Sequence, residues 1–103
     1  MEAAPANDIE RLEWDAWNRE HIARHGVTTY EVEEVWRDAP LAVGSYKGRT
    51  VLTGPTRSGR MLAVVVGPVP KQPGTYYVFS ARTASRKERR YFMEWKGKGA
   101  TPP

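Results

Sequence analysis

A chain of 103 residues with 40% hydrophobic content and four Trp is enough for one modest core, so residues 1–103 are read as a single domain. The absence of cysteine excludes disulfides and thiolate zinc sites, and no apolar run approaches the roughly 20 residues that span a bilayer. The formal net charge of +4 is unevenly spread: residues 1–38 carry ten acids and four bases, residues 39–103 two acids and twelve bases. That asymmetry points to nucleic acid or an acidic protein as the partner of the second half. The alternative is that the two halves pair with each other. The polar, acidic start MEAAPANDIERLE lacks the pattern of a secretory signal or a transit peptide, and a cytoplasmic location with no membrane contact is expected.

Residues 1–8 and the tail KGKGATPP read as loose ends around an ordered core of about residues 12–95. Asp15 is placed to cap a helix over Ala16–His25, with Trp17 and Ile22 toward the core and Gly26 as its stop. Thr28 and Glu31 have capping-box spacing, and Val27 and Val32 sit at staple positions. A second helix is therefore predicted over Thr29–Arg37, burying Val32, Val35 and Trp36.

After Pro40 the pattern changes from helical to extended. LAVGSY and RTVLTGP read as strands joined at Lys47-Gly48, RMLAVVVGPV as a central strand and TYYVFSAR as a fourth. TRSG and PKQPG are the turns between them. Ser85 and Glu88 repeat the capping-box spacing and open a last helix to about Trp95, with Tyr91, Phe92 and Trp95 on or near its apolar face. The expected fold class is α+β: about four antiparallel strands with two helices before and one after, in the order ααββββα.

The stretch FSARTASRKERRYF packs Arg82, Arg86, Lys87, Arg89 and Arg90 into nine positions, opposed only by Glu88. Together with Trp14-Asp15, His25-Gly26-Val27, Ser80-Ala81-Arg82, Ala84-Ser85, Glu88 and Tyr91, this layout resembles the BrnT family, small toxins of bacterial type II toxin–antitoxin pairs. The resemblance implies a RelE-like fold. It implies a metal-independent endoribonuclease that inhibits translation, bound as a hetero-oligomer to a cognate antitoxin, an acidic or DNA-binding small protein. Arg24 and Ser85 stand where the family pattern has Lys and Thr, and His21 where many members have Asn.

Such an enzyme activates the 2′-OH, stabilises the crowded phosphate and protonates the leaving 5′ oxygen. Arg82 is the candidate for the phosphate, because its planar fork matches two phosphate oxygens. Its structural alternative is an ion pair with an acid of the first helices, such as Asp15. His25, Glu88 and Tyr91 are the candidates for moving protons. Each has a structural alternative: a helix end for His25, the cap for Glu88, core packing for Tyr91. Lys47, Arg49, Arg57 and Arg60 cluster near two turns; Arg49 and Arg60 are the preferred RNA contacts, with Lys47 beside them. Arg86, Lys87, Arg89 and Arg90 supply attraction for phosphate or for an acidic partner. His21 and His25 share a helix face at a spacing that can hold zinc, but no third ligand is evident, so neither a metal nor a cofactor is expected. The second reading of the chain is a non-catalytic RNA- or protein-binding module of the same fold.

Overall fold

Three capping boxes start the three helices. The side chains of Asp15, Thr28 and Ser85 accept the main-chain N–H of Asn18, Glu31 and Glu88, and the side chains of those residues accept the cap's own N–H in return. The computed structural model describes residues 8–98. In chain order it contains β1 (Arg11–Glu13), α1 (Ala16–Ala23), α2 (Thr29–Arg37), β2 (Leu41–Gly44), β3 (Thr50–Pro55), β4 (Met61–Pro68), β5 (Thr75–Thr83) and α3 (Arg86–Gly97). The expectation of loose ends falls mostly on residues outside this range. Of the tail, Lys96 and Gly97 still belong to α3.

The five strands form one sheet in the order β1-β5-β4-β3-β2. From β2 to β5 it is the expected antiparallel meander. The sheet as a whole is mixed, because β1 pairs in parallel with β5 and adds a fifth strand. Three residues are too few for alternation to mark a strand in the sequence. What holds β1 is tertiary: the N–H groups of Glu10 and Arg11 both donate to the carbonyl of Gly74. Gly74 has φ +83°, a left-handed conformation that favours glycine, and the Glu10 side chain lies over it, its Cδ 2.7 Å from where a Cβ would stand.

Helices α1 and α2 cover one face of the sheet. Their Ile22, Val32 and Val35 join Leu52, Leu62, Val64, Val66, Val78 and Ala81 in a single core cluster. Helix α1 closes with two bonds, Gly26 N–H to the Ala23 carbonyl and Val27 N–H to the Ile22 carbonyl, and Gly26 takes the left-handed conformation at φ +69° that this closure requires. The other face carries α3, packed against β3 with Phe92 buried and Trp95 half-buried beside it.

Trp17 does not face the core: it is 59% exposed and stacks on His21 at 4.8 Å. The buried stripe of α1 is Asn18 and Ile22, one turn apart, and Trp17 lies a third of a turn away from it. The inward seat goes to a polar residue because that seat has polar work. The Asn18 amide donates to the Glu13 carbonyl on β1 and the Val78 carbonyl on β5, and its oxygen accepts the Asp15 N–H. One side chain thus ties two strands to the helix cap. Asn18→Ala leaves buried partners unsatisfied and is expected to cost about 1–3 kcal/mol, read as a lower midpoint in urea or thermal unfolding. Unchanged stability would mean that water replaces the amide without loss.

Candidate active site

Tyr77 and Arg82 lie five residues apart on β5, a spacing that puts side chains on opposite faces of a regular strand. Here they share a face. Tyr77 is opposite Gly67 and Arg82 opposite Ala63, and those two residues are four apart on β4. The extra residue is taken up by a β-bulge where Val66 and Val65 meet Val78 and Ser80, leaving Phe79 between them. The bulge sends Val78 and Ala81 into the core while Tyr77, Phe79 and Arg82 stand on the α3 side of the sheet.

Arg82 is fixed at the junction of β5 and α3. Its two terminal nitrogens donate to the two oxygens of Glu88 at 2.7 and 2.9 Å, and Nη1 also reaches the Thr83 carbonyl at 3.3 Å. Glu88 accepts the Ser85 N–H at 2.8 Å with the same oxygen that meets Nη1. The Arg82 hydrogen bonds, helped by the Ser85 backbone, hold the Glu88 carboxyl well below the usual range, at about 2, although its partial burial opposes this. The guanidinium is correspondingly more basic than usual. Asp15 is not its partner: that carboxylate accepts the Tyr77 hydroxyl at 3.0 Å. Partial burial, followed by that hydrogen bond, pushes the Tyr77 hydroxyl up to about 12.

Tyr91 lies three residues beyond Glu88 on α3, half-buried, with the Lys87 ammonium 5.7 Å from its ring. Arg82 and Glu88 therefore meet at the start of α3, and Tyr91 follows less than one turn beyond Glu88. His25 lies at the α1–α2 turn, on the other side of the sheet. Its imidazole meets His21 edge-on at 5.7 Å, and no hydrogen bond among the described residues joins it to Arg82, Glu88 or Tyr91. That turn still reaches the end of β5 through Arg60. The Arg60 guanidinium donates to the Gly26 carbonyl at 2.7 Å, to the His25 carbonyl, to Glu31 and to the Thr83 hydroxyl. Arg60 is thus a bracket within the fold, with its donors aimed inward.

The remaining bases divide by place. Arg49 rests on the Phe79 ring at 3.9 Å, and Lys47 occupies the adjoining β2–β3 turn at φ +60°. Arg57 lies on the α2 side, in an open groove of about 560 Å³ rich in acid through Glu33, Glu34 and Asp38. Arg86, Lys87, Arg89 and Arg90 are all exposed, and none makes a salt bridge among the described residues. Pairing between the two halves of the chain is limited there to Arg60 with Glu31, so the positive surplus of the second half stays unneutralised. No cluster of three or more acidic or histidine side chains fit to hold a metal occurs among the described residues.

Asn18 and the trio of Phe79, Tyr77 and Gly67 are marked by no motif of the sequence. The only signal for the trio was a row of aromatics, TYYVF, too long to face inward throughout.

No protein-family model matches the chain, and no curated protein matches it. Its α+β fold is similar to a solved one, the ribonuclease toxin BrnT of Brucella abortus, with a TM-score of 0.58 at 24% identity. The match spans 73% of this chain and 96% of that one. The likeness is one of fold, and it agrees with the family resemblance carried by the motifs.

The low Glu88 value has a consequence for acid stability. The ordinary carboxyl value of 4.5 falls to about 2 in the folded chain. The pair's contribution is therefore complete above about 4.5 and is lost as pH falls through that window. Solvent reaches both partners, so the contribution is on the order of 1 kcal/mol. Glu88→Gln keeps the cap geometry and removes the charge. Its melting temperature is expected to fall less than that of the unsubstituted protein between pH 5 and about 2. Parallel melting curves across that range would deny the pair.

Proposed function

We propose that this chain is the toxin of a toxin–antitoxin pair, a metal-independent endoribonuclease whose phosphate-binding group is Arg82. The observation that carries the reading is the Arg82–Glu88 clamp, built on a fold like that of a ribonuclease toxin and set beside four exposed bases. An arginine oriented by a paired carboxylate meets the need of transition-state stabilisation, which is a donor already in place when charge develops. With Nη1 committed to Glu88 and Thr83, the Nε–H and the second Nη2 N–H remain as the fork that meets the phosphate while the clamp holds.

In the reaction the 2′ oxygen of the RNA attacks the adjacent phosphorus. The O2′–P bond forms, the P–O5′ bond breaks, and the products are a cyclic phosphate and a free 5′-OH. One proton leaves the 2′-OH and one reaches O5′. Glu88 is a weak base at a value of about 2, and its oxygens are occupied, so it acts as a positioning residue for Arg82. Of the remaining candidates, Tyr91 shares α3 with Glu88 whereas His25 sits at the α1–α2 turn, so proton transfer is assigned to Tyr91. Arg86, Lys87, Arg89 and Arg90 draw in RNA, or an acidic antitoxin that covers the same helix. The same exposed bases would serve the second reading, a binding module without catalysis.

Arg82→Ala is expected to lower single-turnover cleavage by about 10²–10³ while leaving most RNA binding and the fold intact, and to relieve growth arrest on expression. Cleavage is expected to survive EDTA. Equal cleavage by Arg82→Ala at saturating protein would remove the phosphate role. Loss of cleavage on chelation, restored by zinc or magnesium, would replace the acid–base mechanism. RNA binding without cleavage in the unsubstituted protein would favour the binding module.

A further inference from the structure

Helix α3 covers only part of its face of the sheet. Strand register sets the rows beneath it. Leu41, Thr53 and Ala63, in the row that ends at Arg82, are buried. The next row, Val43, Val51, Val65 and Ser80, is half-open to solvent. Beyond it Arg49, Phe79 and Tyr77 stand around Gly67. A Cβ on Gly67 would lie 2.9 Å from Cε2 of Phe79 and 3.6 Å from Cγ of Arg49, so ring and arginine stem rest directly on the β4 backbone. The Arg49 guanidinium is centred 3.9 Å from the Phe79 ring, and Tyr77 meets the same ring edge-on at 5.2 Å. The Tyr77 hydroxyl is in turn held by Asp15. Among the described residues no carboxylate pairs with Arg49.

This is a cation laid on an aromatic ring and backed against a strand, its side-chain donors making no hydrogen bond among the described residues. Unstacked bases in single-stranded RNA stack on arginine planes and aromatic rings of this kind. We propose that Arg49, backed by Phe79 and Tyr77, is a base-stacking subsite for single-stranded RNA; it rests on RNA being the substrate. The charges around the open face give the strand a direction. Glu13 and Asp15 stand at the β1 edge by Tyr77 and disfavour phosphate there. Arg82 and the basic start of α3 lie at the other end. The phosphates therefore follow the Arg82 side, and a base turns toward Arg49. Gly67 and Ala63 are four residues apart on β4, ~13 Å of strand. The stacked base thus belongs to a nucleotide near the scissile phosphate and not to the one held at Arg82. Arg82 governs the chemical step and Arg49 governs which stretch of RNA is held.

The test uses the full chain and a short 2′-O-methyl oligoribonucleotide carrying 2-aminopurine, which resists cleavage, beside an oligomer of the same length with abasic positions. Phe79→Leu keeps an apolar side chain and removes the ring. Gly67→Ala displaces the ring without removing it. Each variant is expected to bind the base-bearing oligomer roughly tenfold more weakly, to lose the fluorescence quenching of 2-aminopurine, and to bind the abasic oligomer unchanged. Circular dichroism and melting confirm that both fold. Equal affinity of the unsubstituted protein for the two oligomers would overturn the subsite, and Arg82-dependent cleavage in the same preparation would leave the ribonuclease reading standing. A protein that neither binds nor cuts RNA would overturn both. If Phe79→Leu instead weakens binding of a cognate antitoxin while RNA binding is unchanged, the face is a protein interface and the subsite is wrong.

Discussion

One extra residue in β5 decides which side chains the protein shows. Without the bulge at Phe79, the alternation that buries Val78 would bury Ser80 and Arg82 as well and turn Ala81 outward. With it, Ala81 takes the core position opposite Val64, and Arg82 emerges on the face carrying Tyr77 and Phe79. A bulge also bends and twists its strand, and here the strand feeds directly into the cap of α3. The core and the candidate site are therefore not independent. Any change that slipped the β4–β5 register by one residue would fill the core and dismantle the site in the same step.

The junction after β5 concentrates several jobs in one carboxylate. Glu88 completes the capping box with Ser85 and receives both arms of Arg82. A helix start, a strand end and a cationic group thus share one partner. The arrangement is stiff because each contact restricts the others: the cap fixes the backbone of Glu88, and the carboxylate then fixes the plane of the guanidinium. The same economy removes Glu88 from the list of useful bases. A carboxylate that holds a cation this well holds a proton poorly.

The uneven charge of the sequence becomes a difference between the two sides of the sheet. On the α2 side, Glu33, Glu34 and Asp38 line a groove in which Arg37 and Arg57 offset part of the negative charge. On the α3 side, exposed bases follow one another along the helix, and Arg49 adds a further cation at the far edge. Arg60 links the sides: it joins the α1–α2 turn to Thr83, next to Arg82. A polarised molecule of this kind attracts anionic partners to one side and leaves the other free.

Much of this was legible in the chain itself. The helix starts are written in local chemistry, since a capping box depends only on residues three apart, and all three were found where Asp15, Thr28 and Ser85 placed them. The meander of β2 to β5 followed from periodicity and turn residues, because a strand with one buried face must alternate. The BrnT-like fold likewise showed in the motifs, and Arg82 and Glu88 stood out by type and position. What the chain could not show is whatever depends on distant partners. The strand at Arg11–Glu13 exists because Gly74 and Asn18 receive it, the one more than 60 residues away. The burial of Asn18 in place of Trp17 was decided by two carbonyls on different strands. The assignment of Arg60 to the fold rests on acceptors 23 to 35 residues distant. The bulge at Phe79 follows from register against β4, which no local pattern encodes. Local hydrogen bonding fixed the elements; long-range register and buried polar demand fixed which residues face the solvent.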